Sequence, residues 1–231
     1  MKFDQYELKA RVLPAILSTV LPLFLFNYFL VHQGLQQLFA ALAEWQVVSG
    51  VTSTFIFLYF IIELNRSVSK FIFEKYLFEG DKKLPTTQLL MFSDSSYSGD
   101  FKRRIRTKII TEFQIRALNE DEEKENPELA RKLIVEAVSR IRNSMRGDTF
   151  IKQSNIRYGY FRNLIGGSVI GSIIAIANVA YLHYNNLAEW AIYVNYTLIC
   201  LYLFLLACSR WLLKAHGYNY AKSLLENYDH K

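Results

Sequence analysis

The stretch LIGGSVIGSIIAIANVAYLHYNNLAEWAIYVNYTLICLYLFLLACSRWLL, Leu164 to Leu213, decides how this chain is read. It holds two apolar segments, Leu164 to Tyr184 and Trp190 to Leu213, each near the ~20 residues that a helix needs to cross a bilayer. Asn185 to Glu189 joins them and is too short for anything except a tight hairpin. The two segments are therefore expected to cross a membrane as a pair.

The same pattern recurs near the N-terminus. Val12 to Val31 carries no charge, and Val47 to Ile62 meets Glu63 and Arg66 only at one edge, with Ser49, Thr52, Ser53 and Thr54 diluting its other half. Tyr28, Trp45, Tyr184, Trp190 and Trp211 fall where an interfacial aromatic belt would hold the ends of these spans. A cleaved signal peptide is the competing reading, since Ala41-Leu42-Ala43 could serve as a cleavage motif. The apolar run before it is longer than such signals use and stops too early, so the first span is expected to be retained.

All 27 lysines and arginines lie on one side of these four stretches, and the connections on the other side carry only Glu44 and Glu189. Basic residues close to a span stay on the cytoplasmic face. Both termini and the long middle segment are thus expected in the cytoplasm. The net charge of +6 follows from this topology and does not by itself call for a nucleic-acid partner. The expected division is a first transmembrane hairpin over 1–64, a cytoplasmic helical domain over 65–161, a second hairpin over 162–213 and a cytoplasmic tail over 214–231.

The middle segment shows helical periodicity. Arg66 to Phe78 continues the second span as an amphipathic helix that Gly80 stops. Asp100 can cap a helix carrying Phe101, Ile105, Ile109 and Phe113, with Lys102, Arg103, Arg104, Arg106 and Lys108 turned away from that stripe. Asn119 to Asn126 reads as an exposed acidic turn. Asn126, Pro127 and Glu128 open a further helix with Leu129, Leu133, Ile134, Ala137, Ile141 and Met145 on one face. Asp148 to Phe161 reads as helix running unbroken into the third span. No strand alternation of useful length occurs, so the fold class is all-α: a polytopic membrane protein with four transmembrane helices and a central cytoplasmic helical domain.

Candidate functional residues fall into three groups. Lys102, Arg103, Arg104, Arg106 and Lys108 could bind anionic lipid headgroups or a protein partner, and the ordinary alternative is a solvated helix face. Gly167, Ser168, Gly171, Ser172 and Ala175 form a small-xxx-small face that lets helices approach. Ser168, Ser172 and Asn178, with Ser49 and Ser53 of the second span, could instead line a polar path through a homo-oligomer. Asn27 and Asn195 also lie within or near the spans and should point at other helices or at water.

Other chemistries find no support. No Asp, Glu, Lys or Arg occupies the middle of a span, as an ion-coupled transporter would need. His32, His183, His216 and His230 lack ligand spacing, so no metal is expected. Cys200 and Cys208, both in the fourth span, are read as packing residues and not as a disulfide. No catalytic residue set and no phosphate-cradling glycine loop is present, so an enzyme and a cofactor are not expected. Nucleic acid is disfavoured, because the aromatics near the basic cluster belong to the apolar stripe.

The third group rests on a resemblance. Tyr6-Glu7-Leu8-Lys9-Ala10-Arg11 with Leu13-Pro14, then Pro85-Thr86-Thr87 with Leu89-Leu90, then Tyr158-Gly159-Tyr160-Phe161-Arg162-Asn163-Leu164 resemble words in uncharacterised bacterial four-span membrane proteins of similar length. Basic residues follow the threonines and leucines in those relatives, where this chain has Gln88, Met91 and Phe92. The architecture also looks like that of small membrane effectors of bacterial antiviral defence. The resemblance implies a sensor or effector that acts through a cytoplasmic protein partner, membrane lipids and a possible pore. A non-conducting scaffold that recruits a cytoplasmic enzyme is the alternative from another class.

Overall fold

A computed structural model describes residues 4–26, 28, 46–74, 78 and 83–231, without the side chains of 46–57, 73 and 74. The readings made at Asn27, His32, Ala41 to Ala43, Glu44, Trp45 and Gly80, and at the side chains of Ser49 and Ser53, lie outside the described residues.

Among the described residues the chain is helical throughout, with no strand. The elements are α1 (Gln5–Phe26), α2 (Gln46–Ser69), α3 (Pro85–Leu90), α4 (Gly99–Phe113), α5 (Glu120–Glu125), α6 (Pro127–Ser144), α7 (Thr149–Tyr184), α8 (Glu189–Ala207) and α9 (Ser209–His230). Three of the described helices, α1, α7 and α8, are long and apolar enough to cross a membrane. The chain divides into two compact units, one of Met1–Lys70 with Gly159–Arg210, the other of Phe71–Tyr158 with Trp211–Lys231.

In the first unit each helix has one covered and one uncovered face. On α1, Ala10, Ala15, Ser18, Thr19 and Leu25 are buried, whereas Leu8, Leu13, Leu17, Leu21 and Phe24 are exposed. On α7 the stripe Ala175, Asn178 and Leu182 is buried at spacings of three and four, with Ile173 and Ile176 exposed. Helix α8 buries Ala191, Asn195 and Tyr202 and leaves most of its apolar surface uncovered, including Tyr193, Leu203 and Phe204. Large side chains exposed in such density suit lipid, where an apolar surface costs nothing.

The α7–α8 hairpin closes by a Schellman turn. Leu187 N–H bonds the carbonyl of Leu182 at 3.0 Å and Asn186 N–H that of His183 at 3.3 Å, with Asn186 in the left-handed region at φ 51°. Asn takes the place usually held by Gly because its short side chain tolerates that backbone. Cys208 interrupts the expected fourth span: α8 ends at Ala207 and α9 begins at Ser209.

The second unit has its own apolar core, built from Leu89 and Leu90 of α3, Ile105 and Ile109 of α4, Ile134 and Ile141 of α6, and Leu224, Leu225 and Tyr228 of α9. Three sequence expectations change here. The segment 214–231, expected as a separate cytoplasmic tail, is a helix whose Ala221, Leu224, Leu225 and Tyr228 are fully buried. Their spacing of three, one and three makes a stripe that the polar residues between them conceal. The acidic stretch expected as an exposed turn forms α5, with Asn119 and Glu122 exchanging hydrogen bonds as a capping box and Glu123 turned inward. The box satisfies two otherwise unpaired N–H groups, and carboxylates are favourable at a helix start. Ser98, not Asp100, caps α4 by accepting from Phe101 N–H at 3.2 Å.

Candidate functional site

Proline placement in α1 creates the first site. Pro14 and Pro22 have no N–H, so each leaves the carbonyl four residues earlier without its helical partner. Those carbonyls belong to Ala10 and Ser18. A π-helical turn precedes each proline, over Leu8–Val12 and Ile16–Val20. Such wider turns occur where the regular bonding ladder is interrupted.

Side chains from other helices take up the freed carbonyls. Asn163 Nδ2 donates to Ala10 O at 2.5 Å, and Tyr202 Oη donates to Ser18 O at 2.7 Å. Pro22's own carbonyl accepts from Asn178 Nδ2 at 3.0 Å, which also donates to Asn195 Oδ1 at 3.1 Å. Asn65 Nδ2 of α2 reaches Ser18 Oγ at 3.4 Å. The result is a polar seam through the first unit, between α1, α2, α7 and α8.

Small residues make the seam possible. A Cβ added at Gly166 would meet Ser69 Oγ, one at Gly167 would meet Ser18 Oγ, and one at Gly171 would lie 2.9 Å from Tyr202 Cε2 and nearer still to Ser18 O. Ala175 is fully buried on the same helix. Ser168 Oγ and Ser172 Oγ return to backbone carbonyls one turn back, at Leu164 (2.9 Å) and Ser168 (2.7 Å). Ser49 and Ser53 lie within α2, their side chains outside the described residues.

The amides of this seam are only half used. Asn65, Asn163 and Asn178 are each at least 98% buried, and in all three Oδ1 has no hydrogen-bond partner. An unsatisfied buried acceptor costs ~1–3 kcal/mol, so three such oxygens favour a donor or a cation from outside the protein. The sequence reading singled out Gly167, Gly171, Ala175 and Asn178, but not the part played by Ser18, Asn65, Asn163 and Tyr202. The available signal was the pair of prolines eight residues apart in α1, each of which demands a donor from elsewhere.

The basic cluster of α4 is not one surface. Lys102 is 1% exposed, and its ammonium donates to the carbonyls of Met91, at 2.7 Å, and Asp94. Burial, foremost, holds it below the usual lysine range, against the pull of Asp94 and Glu123. Arg106, also buried, bonds Leu118 O, Leu90 O and the Glu123 carboxylate, and its guanidinium lies 4.1 Å from the centre of the Phe92 ring. Glu123 Oε1 accepts from Phe92 N–H at 2.6 Å. Two cations therefore take up carbonyls at and just beyond the end of α3, where the helix dipole favours positive charge. Lys108 turns its ammonium to Tyr228 O at 2.7 Å. Arg103 and Arg104 are exposed and pair with Asp100 and Asp229, each at 2.9 Å. The expectation of a five-residue lipid or partner surface is corrected accordingly: Lys102 and Arg106 are internal struts, which the four-residue spacing from 102 to 106 places on one face.

Pro85 opens α3, and Thr86 and Thr87 beside it are buried. They border a cavity of about 380 Å³ whose other wall is α6. Among the described residues no group of His, Cys, Asp and Glu could hold a metal ion. No known protein family, curated protein or solved structure matches this chain.

Proposed function

We propose that the chain is a four-span protein of a bacterial inner membrane, with both termini and the second unit in the cytoplasm, that acts as a sensor or effector on the membrane itself. The four apolar stretches, free of Asp, Glu, Lys and Arg except for Arg210 near the inner end of the fourth, and the one-sided distribution of the basic residues support the topology. The observation that carries the function is the seam with three unpartnered amide oxygens. Acceptors aligned through an apolar bundle suit water or a weakly held monovalent cation. The lack of any charged side chain in the middle of a span argues against ion-coupled transport. A homo-oligomer whose copies part along this seam, prompted by a cytoplasmic partner as in bacterial defence effectors, would be leaky to small ions.

The test is ion flux into liposomes holding the purified chain. Flux is expected, and Asn178→Leu together with Asn163→Leu should reduce it while the protein still inserts. Absence of flux, joined to stable co-purification of a cytoplasmic enzyme, would favour the scaffold reading instead.

A further inference from the structure

We infer that the cavity between α3 and α6 is a binding site for a phosphate monoester of nucleoside or sugar size. The inference stands on the second unit alone and is independent of the proposed membrane activity. A volume of about 380 Å³ falls within the ~300–1,000 Å³ of small-molecule sites. Leu84, Val135 and Val138 supply an apolar wall, and Thr86, Ser139, Arg140 and Arg142 supply polar groups.

Charge decides the ligand class. Among the described residues of this unit the two buried basic side chains, Lys102 and Arg106, have a counter-charge or carbonyls to bond. Arg142 does not. Its Nη2 donates to Thr86 Oγ1 at 3.3 Å, its guanidinium sits 5.9 Å from the centre of the Tyr220 ring, and its Nε is buried without a partner. Arg140 is exposed at the cavity mouth and makes no contact with a carboxylate. Glu136, the one acid bordering the cavity, forms no ion pair with either arginine among the described residues.

A half-buried guanidinium without an anion is missing the partner its planar fork matches best, an oxyanion that accepts two parallel hydrogen bonds. Phosphate fits that fork, Arg140 adds a second positive charge at the entrance, and the hydroxyls of Thr86 and Ser139 are suited to remaining phosphate or sugar oxygens. The apolar wall has room for the organic part.

The experiment is calorimetric titration of the full chain in detergent with adenosine monophosphate, ribose 5-phosphate and inorganic phosphate. Saturable binding is expected, tighter for the two esters than for inorganic phosphate. Arg142→Gln should weaken it at least ~tenfold, as loss of a charge-assisted pair does, and Arg142→Lys should restore only part of it. Arg140→Gln touches no folded contact and should weaken binding at least ~threefold through its charge alone. Arg103→Gln with Arg104→Gln should leave affinity unchanged. Repeating the titration in nanodiscs separates free ligand from lipid headgroup: equal affinity in zwitterionic and phosphatidic acid discs assigns the site to a soluble ester, and competition by phosphatidic acid assigns the same phosphate chemistry to lipid. No saturable binding of any probe, or binding indifferent to both Arg140→Gln and Arg142→Gln, overturns the inference.

Discussion

Tyr202 gives its hydroxyl hydrogen to the carbonyl of Ser18, at 2.7 Å, across 184 residues of chain. That carbonyl is the one Pro22 deprives of its helical donor. A defect within one helix is thus matched by a side chain from another, and the two positions should be coupled energetically.

Tyr202→Phe is expected to destabilise the protein by about 1 kcal/mol, the scale of a hydrogen bond inside a membrane bundle. In a Pro22→Ala background, where the new N–H can serve Ser18 O, the cost should fall by at least half. Thermal unfolding of the four proteins of this cycle measures it, and equal costs in both backgrounds would contradict the matching.

Gly171→Ala should cost about 1–3 kcal/mol, because its methyl group would press on Ser18 O and lie 2.9 Å from Tyr202 Cε2. Gly147→Ala meets nothing within 4 Å and should be neutral or slightly stabilising. Melting temperatures of the two variants in the same detergent provide the comparison.

Glu123→Ala leaves Arg106 buried without its carboxylate, a change worth about 3–5 kcal/mol. Replacing both, as Arg106→Met with Glu123→Leu, should cost clearly less than the single change, since no charge is then stranded. Hydrogen exchange at Phe92, whose N–H bonds Glu123 at 2.6 Å, should quicken in Glu123→Ala.

Ala188, the residue just before α8, has φ 30°, in the left-handed region. Ala188→Gly relieves a backbone strain of about 1 kcal/mol and should raise the melting temperature, whereas Ala188→Val should lower it. A rise with valine would contradict the strained conformation.

Burial first, and the positive charge of Arg157 second, hold His216 below the usual histidine range. The unfolded chain therefore binds a proton at a pH where the folded chain does not, so stability present above ~pH 6.5 declines as pH falls through that value toward the folded pKa. His216→Gln should flatten this part of a melting-temperature profile between pH 7.5 and pH 5.5, both as approximate limits of the histidine range.

The uncharged lengths of chain and the five-residue Asn185 to Glu189 connection sufficed to make α7 and α8 candidate spans, since length and apolarity are properties of contiguous residues. The small-residue stripe at Gly167, Gly171 and Ala175 was legible for the same reason: its members lie on one helix at fixed spacing. The cap at Asn126 and Pro127 was likewise local, and Leu129 N–H bonds Asn126 Oδ1 at 3.0 Å. Glu123 and Arg106 were not legible, because an acidic run and a basic run each look solvated until folding brings one member of each together inside.

By itself, then, the sequence determined an all-helical chain and its long apolar segments, both of which follow from neighbours along the chain. Only the tertiary structure decided that α9 completes the second unit's core, that two of five clustered cations are internal, and that the α1 prolines are answered by Asn163 and Tyr202. The physical reason is range. Helix formation and membrane solubility depend on local pattern, whereas satisfying a buried carbonyl or charge depends on which distant group the fold delivers to it.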